Sequence, residues 1–330
     1  MIDQRAAADG GHKAAQEALQ RIFADSDSPV GSNLKTDAQR LHDVESSPFV
    51  HPDHMRVFAV ANQKGGVGKT TSVVNIAAAL ALNGLRVLVI DSDPQGNAST
   101  ALGVEHSEGT PSIYDVLLQR RSLSDVIVPV EQVPGLFMVV ATMELANLDL
   151  DLADQADRAF RMRSAVQTLA ENTFDYIFID CPPSMSLLPI NALTAADEVM
   201  IPVQSEYYAL EGLTQLLHTI DVVRTRYNPQ VQVTTILLTM YSRHQNLSME
   251  VAENVREYFP AQTLATEIPR SVRIAEAPSY GETVLTYAQR SSGAIAYLAA
   301  AKEIAERGAR GRQAQDATTQ ETRAEEGEQR

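Results

Sequence analysis

The chain has 330 residues, 44% of them hydrophobic, a net charge of −15 and one cysteine, Cys181. That length can bury a full core over one or two domains, no apolar run approaches the ~18 residues a membrane helix needs, and the N-terminus lacks the basic-then-apolar order of a secretory signal. A lone thiol excludes an internal disulfide and any cluster built from several thiolates of one chain, which suits a reducing cytoplasm, and the acidic balance means that any DNA contact must come from a local patch.

Residues 1–54, rich in Asp, Ser, Ala, Gln and His, read as a mobile arm with one candidate helix at 14–23. Apolar β-type runs follow at 56–61, 86–90, 136–141, 175–180, 198–203 and 232–239. Helical periodicity marks 70–83, 155–172, 187–195, 211–227, 247–259 and 291–307. Strands alternating with helices predict an α/β fold over 55–308: a mostly parallel twisted sheet with helices on both faces, of phosphate-loop NTPase type. Ligands of such sheets sit beyond the carboxyl ends of the strands. Residues 309–330 lack apolar periodicity and read as a disordered tail.

The first strand runs into Lys64-Gly65-Gly66-Val67-Gly68-Lys69-Thr70-Thr71. A strand that opens through glycines into a helix presents backbone N–H groups to phosphate oxygens. Lys69 adds a cation for the β- and γ-phosphates of a nucleotide, and the Thr70 hydroxyl is a candidate Mg²⁺ ligand. The general pattern wants glycine six residues before that lysine; here the position is Gln63, and a second lysine, Lys64, precedes the glycines.

The second strand ends in Asp91-Ser92-Asp93-Pro94-Gln95-Gly96-Asn97. Asp93 is placed to orient or activate an attacking water and to serve the metal, with Asp91 supporting Mg²⁺ through waters. The strand 175–180 ends in Asp180-Cys181-Pro182-Pro183-Ser184, and an apolar strand terminating in Asp is the expected second Mg²⁺ element. Cys181 has no histidine near it in sequence and reads as packing. Seven arginines against six acids between 224 and 290 make the least acidic long stretch of the folded part, and phosphate neutralisation by such a stretch is salt-sensitive. Arg243 follows the last strand, and Arg270 and Arg273 belong to a Pro-containing loop, with Pro269 and Arg270 also candidates for the nucleotide pocket.

These motifs, in this order, with Ile268-Pro269-Arg270-Ser271-Val272-Arg273-Ile274-Ala275-Glu276-Ala277-Pro278-Ser279-Tyr280-Gly281 after them, resemble the ParA/Soj branch of the deviant Walker A ATPases over about residues 55–305. That family segregates chromosomes and plasmids. The resemblance implies an ATPase that uses ATP and Mg²⁺, is slow unless stimulated by a ParB-type centromere-binding partner, and closes as a homodimer around two nucleotides. By the same resemblance Lys64 reaches across the dimer to the partner's ATP, Lys69 and Thr70 serve their own subunit's ATP, Asp93 supports hydrolysis, and Arg243 and Arg273 give the ATP dimer non-specific DNA binding. The expected place is the cytoplasm, on the nucleoid. The alternative is a MinD-type ATPase that positions the division site from a membrane surface. It needs a terminal helix with bulky apolar and basic faces, whereas Ala294–Arg307 is rich in alanine with mixed charges and is expected to pack on the sheet. A nitrogenase-reductase relative would need paired cysteines, and a cofactor-synthesis ligase would turn over ATP on a small molecule.

Overall fold

The structure, a computed structural model of the whole chain, describes residues 29–308 except Glu171, Met185 and Tyr208. The chain divides into two compact units at Ser46/Ser47. Of the first, one helix is described, Pro29–Glu45. Gly31, Ser32 and Asn33 are weak helix formers, which is why the sequence did not disclose it. The candidate helix at 14–23 and the tail from 309 lie outside the described residues.

The second unit is built on one seven-stranded sheet. Its strands are β1 (Arg56–Val60), β2 (Val87–Asp91), β3 (Val128–Pro129), β4 (Leu136–Val139), β5 (Tyr176–Asp180), β6 (Glu198–Gln204) and β7 (Gln232–Thr239). They lie in the order β3-β4-β2-β5-β1-β6-β7. Every pairing is parallel except that of β3, which runs antiparallel on β4 at the edge. Each predicted strand is present within a residue or two; β3 was not foreseen, because a two-residue pairing that includes a proline carries no periodic signal.

Both faces of the sheet are covered, so β1, β2 and β5 are buried at every residue and read as continuous apolar runs. Val57, Ala59, Ile177 and Ile179 join one core with the helices Leu187–Ala195 and Ala209–Arg226. The alternate residues Phe58 and Phe178 stack on the other face at 5.3 Å between ring centroids, continued by Tyr176. There Arg56 lies over the Phe58 ring, donates to both oxygens of Glu198 and reaches the Ile304 carbonyl of the last helix, 292–308. Tyr297 and Ile304 of that helix are buried, so its bulky side chains pack inward. Among the described residues no helix is long and apolar enough to cross a membrane.

One predicted element is much shorter than expected. The periodic stretch 155–172 contains only a 3₁₀ turn, Arg158–Phe160, and the helix Arg161–Val166. The Thr168 hydroxyl and amide both bond the Ala165 carbonyl, which closes the helix, and Asn172 adopts a left-handed φ of 64° before β5 begins.

Candidate phosphate-loop site

The site is laid out by strand register. Val60 at the end of β1 lies opposite Asp180 at the end of β5, and Asp180 lies opposite Asp91 at the end of β2. Adjacent strands are about 4.8 Å apart, so two carboxylates stand level with the point where the glycine loop departs. Asn62 anchors that departure: its amide donates to the Pro202 carbonyl of β6, and its side-chain oxygen accepts from the Lys64 N–H. Gln63, where the general pattern has glycine, donates to the Thr219 hydroxyl on the helix Ala209–Arg226.

The loop delivers Gly68 to the N-terminus of the helix Lys69–Leu82 with φ 86°, a conformation that favours glycine. A side chain at Gly65 or Gly66 would meet nothing within 4 Å, so the loop backbone faces open space that a phosphate can approach. Thr239 at the end of β7 braces the loop by donating to the Val67 carbonyl at 2.8 Å, and both residues are buried. Thr239→Val therefore strands a buried acceptor and is expected to cost about 1–3 kcal/mol of stability, readable by denaturant unfolding, with weakened nucleotide affinity.

Lys69 is buried, and its ammonium lies 3.2 Å from the Lys64 carbonyl. Desolvation lowers its pKa, opposed by the charges of Asp180 and Asp93. Thr70 donates to Asp180 Oδ2 at 2.7 Å, while Asp180 Oδ1 is buried and accepts no hydrogen bond. Complete burial, and then the neighbouring Asp91, hold the Asp180 carboxyl well above the usual carboxylate range. A buried ammonium hydrogen-bonded to a carbonyl, beside a buried aspartate oxygen with no donor, fits a Mg²⁺-phosphate group. No cluster of three or more His, Cys, Asp or Glu side chains able to hold a metal occurs among the described residues. The Thr70 hydroxyl and the Asp180 carboxylate suit an ion held by one or two side chains, phosphate and water.

Asp91 stands at the end of β2, opposite Asp180. Its oxygens accept from the Asp93 amide and from the Ser99 amide and hydroxyl, so it organises the loop 91–99. Burial, partly offset by those hydrogen bonds, pushes its carboxyl up to about 6. Asp93 accepts the Gln95 amide and lines an open cavity of about 400 Å³ with Gly65, Gly66, Gly68, Lys69, Thr70 and Thr71. Cys181 is buried, and burial raises its thiol pKa, so it supplies no thiolate.

Several expected residues do not line this cavity. Val67 is a buried brace, Asp180 sits behind Thr70, and Lys64, Pro269 and Arg270 lie outside it. Lys64 and Arg270 both pair with Glu206, at 3.3 and 3.8 Å. Asn97, Thr100, Met240 and Pro278 line it without having been foreseen. Met240, just past β7, holds a left-handed φ of 52°, which marks a constrained turn at the cavity wall. Arg243 and Arg273 are exposed, and Arg273 pairs with Glu276 at 3.0 Å. Gly103, after the helix Asn97–Ala101, and Gly281, at the end of the 3₁₀ turn Ala277–Tyr280, touch backbone to backbone: a Cβ on Gly281 would lie 2.9 Å from the Gly103 Cα.

A glycine loop at the end of a central parallel strand, flanked by strands that end in aspartate, defines a P-loop nucleoside triphosphatase, here of the deviant Walker A type. A family profile described as an AAA domain (AAA_31) matches residues 55–233. The chain belongs to the ParA/Soj family of chromosome-partitioning ATPases: it is 46% identical over 254 residues to the chromosome partitioning protein ParA of Caulobacter vibrioides, covering 77% of this chain and 95% of that one. It is likewise 46% identical over 253 residues to the sporulation initiation inhibitor protein Soj of Bacillus subtilis, covering 77% and 99%. Among solved structures it resembles one described as cobyrinic acid a,c-diamide synthase of Mycobacterium smegmatis with ADP and magnesium, at 36% identity, TM-score 0.65, and coverage of 76% of this chain and 93% of that one. It also resembles the septum site-determining protein MinD of Pyrococcus horikoshii with Mg-ADP, at 25% identity, TM-score 0.62, covering 76% and 96%.

Proposed function

We propose that the protein is an ATP-driven partitioning switch: ATP and Mg²⁺ bind, two subunits close face to face, the dimer holds DNA non-specifically, and hydrolysis stimulated by a ParB-type partner releases it. The observation that carries this reading is the Lys69–Thr70–Asp180 cluster behind the glycine loop, with Asp93 at the cavity wall. The loop amides and Lys69 hold the phosphates, and Thr70 with Asp180 behind it would be the residues that hold the metal. Asp93 orients the water that attacks the γ-phosphorus, giving ADP and phosphate. Thr70 and Asp180 would hold Mg²⁺, which would supply charge neutralisation to the phosphates when bound. Lys64 from each neighbour offsets the repulsion between two facing triphosphates.

DNA and the protein partner bias such a cycle only through better binding to the ATP dimer than to the ADP form. Slow basal turnover follows, because the hydrolytic step serves as a timer. We place the domain boundaries at 54 and 308, and the working site in the cytoplasm on the nucleoid. The inward packing of Tyr297 and Ile304 favours this reading over a membrane-surface ATPase.

DNA co-sedimentation with ATP, ADP and no nucleotide across a salt series tests the reading: retention is expected with ATP alone, falling steeply as salt rises. Equal retention in all three states sinks it. ATP turnover that answers to a small-molecule acid and ignores DNA would instead place the chain with the diamide synthase. Arg243→Ala and Arg273→Ala are each expected to weaken ATP-dependent DNA binding about tenfold and to flatten the salt slope by about one, with ATP binding unchanged.

A further inference from the structure

Lys64, which the proposed function gives to the neighbour's ATP, and Arg270, a candidate for the nucleotide pocket from its sequence motif, both lie outside the cavity and converge on one carboxylate. Lys64 Nζ lies 3.3 Å from Glu206 Oε2, and Arg270 Nη2 lies 3.8 Å from Glu206 Oε1. The Gln204 amide also donates to Glu206 Oε1, which orients the group. Glu206 follows β6, the strand beside β1, so it stands at the same end of the sheet as the glycine loop. Arg270 is brought there from the other side by the bridge between Tyr241 and Pro269, just beyond β7. Three segments distant in sequence thus place one anion between two cations.

We propose that Glu206 is a stand-in for nucleotide phosphate: in the single subunit it parks Lys64 and Arg270, and both must leave it to serve ATP in the closed dimer. This rests on the reading of those two cations as nucleotide contacts. A carboxylate and a phosphate offer the same charged acceptors to an ammonium and a guanidinium, so the two anions compete for them. The strength of the contact suits release. The Lys64, Arg270 and Glu206 side chains are 38%, 69% and 47% exposed, so solvent and salt screen the pairs and each is weak. A buried pair at this place would lock the subunit instead. Glu206 is thereby a positioning residue that keeps Lys64 extended along its own subunit and sets how much nucleotide is needed before two subunits close.

Glu206→Gln tests this, because the amide keeps the size and the contact with Gln204 while removing the charge. With Mg²⁺ and a non-hydrolysable ATP analogue, the analogue concentration for half-maximal dimerisation, followed by light scattering on the full chain, is expected to fall about three- to tenfold. The gap from wild type should close as salt rises from 50 to 500 mM, since salt already loosens the wild-type pairs. The nucleotide-free melting temperature should stay at the wild-type value, and Glu206→Asp should restore the wild-type threshold. A Glu206→Gln protein that dimerises at the same or a higher analogue concentration overturns the proposal. Lys64→Ala separates this from failure of the underlying reading. If that variant dimerises as wild type does, the assignment of Lys64 to ATP fails and takes the proposal with it. If it stays monomeric while Glu206→Gln is unshifted, the reading stands and the proposal alone falls.

Discussion

Lys69→Ala is expected to abolish ATP binding and, with it, nucleotide-dependent retention on DNA. The lysine is buried at the helix start, its ammonium lies 3.2 Å from the Lys64 carbonyl, and carboxylates rather than other cations surround it. Removing it leaves a bound triphosphate without its nearest positive charge in a partly desolvated place. The penalty for an uncompensated buried charge is about 3–5 kcal/mol, or a few hundred- to a few thousandfold in affinity. Folding should not suffer equally. Burial lowers the Lys69 pKa in the folded state, so the protonated ammonium is held there at a cost at neutral pH, and truncation removes that cost. Calorimetric titration with ATP and a melting curve separate the two effects. Lost binding with a near-native melt is the expected pair of results; ATP affinity within tenfold of wild type would remove Lys69 from the phosphate site.

Asp93→Ala is expected to give the opposite phenotype, a protein that binds ATP, dimerises and holds DNA but does not turn over. Asp93 is the carboxylate that both lines the cavity and belongs to the loop organised by Asp91. Loss of a positioned acid–base group lowers turnover by about 10²- to 10⁴-fold. Truncation also frees the Gln95 amide, so Asp93→Asn is the necessary companion: it keeps an acceptor for that amide while removing the charge. Both variants should release phosphate at a small fraction of the wild-type rate and stay on DNA in a sedimentation assay. Wild-type hydrolysis by Asp93→Asn would show that the attacking water is oriented by something else.

Much of this was legible in the chain because the chemistry sits where strands end. The runs before Lys64, Asp91 and Asp180 announce themselves as buried strands, and the parallel-sheet rule puts their carboxyl ends together. What the sequence hid arrives from elsewhere in the chain. Thr239 braces Val67 across 172 residues, and neither residue type advertises the bond. Met240 and Pro278 reach the cavity wall from segments whose only local signals are a strand end and a proline. In the segment that carries Arg270, Pro278 reaches the cavity while Arg270 lies beside Glu206. The bonds from the Ser99 amide and hydroxyl and the Asp93 amide to Asp91 carry no local sequence signal, because both strand-end carboxylates look alike in sequence. Glu206 could have been found by the same strand-end logic, since it lies two residues past β6. The short helix at 161–166 shows the opposite failure, a 3.6-residue rhythm cut off by one threonine hydroxyl.

The bare contact between Gly103 and Gly281 bears on how the two halves of the molecule speak to each other. Gly103 trails the loop that carries Asp93, and Gly281 closes the stretch that carries Arg273. With main chain against main chain, no pliant methyl or aromatic cushion stands between them to soak up displacement. Any displacement of the one segment therefore meets the other directly, with no side chain between them to absorb it.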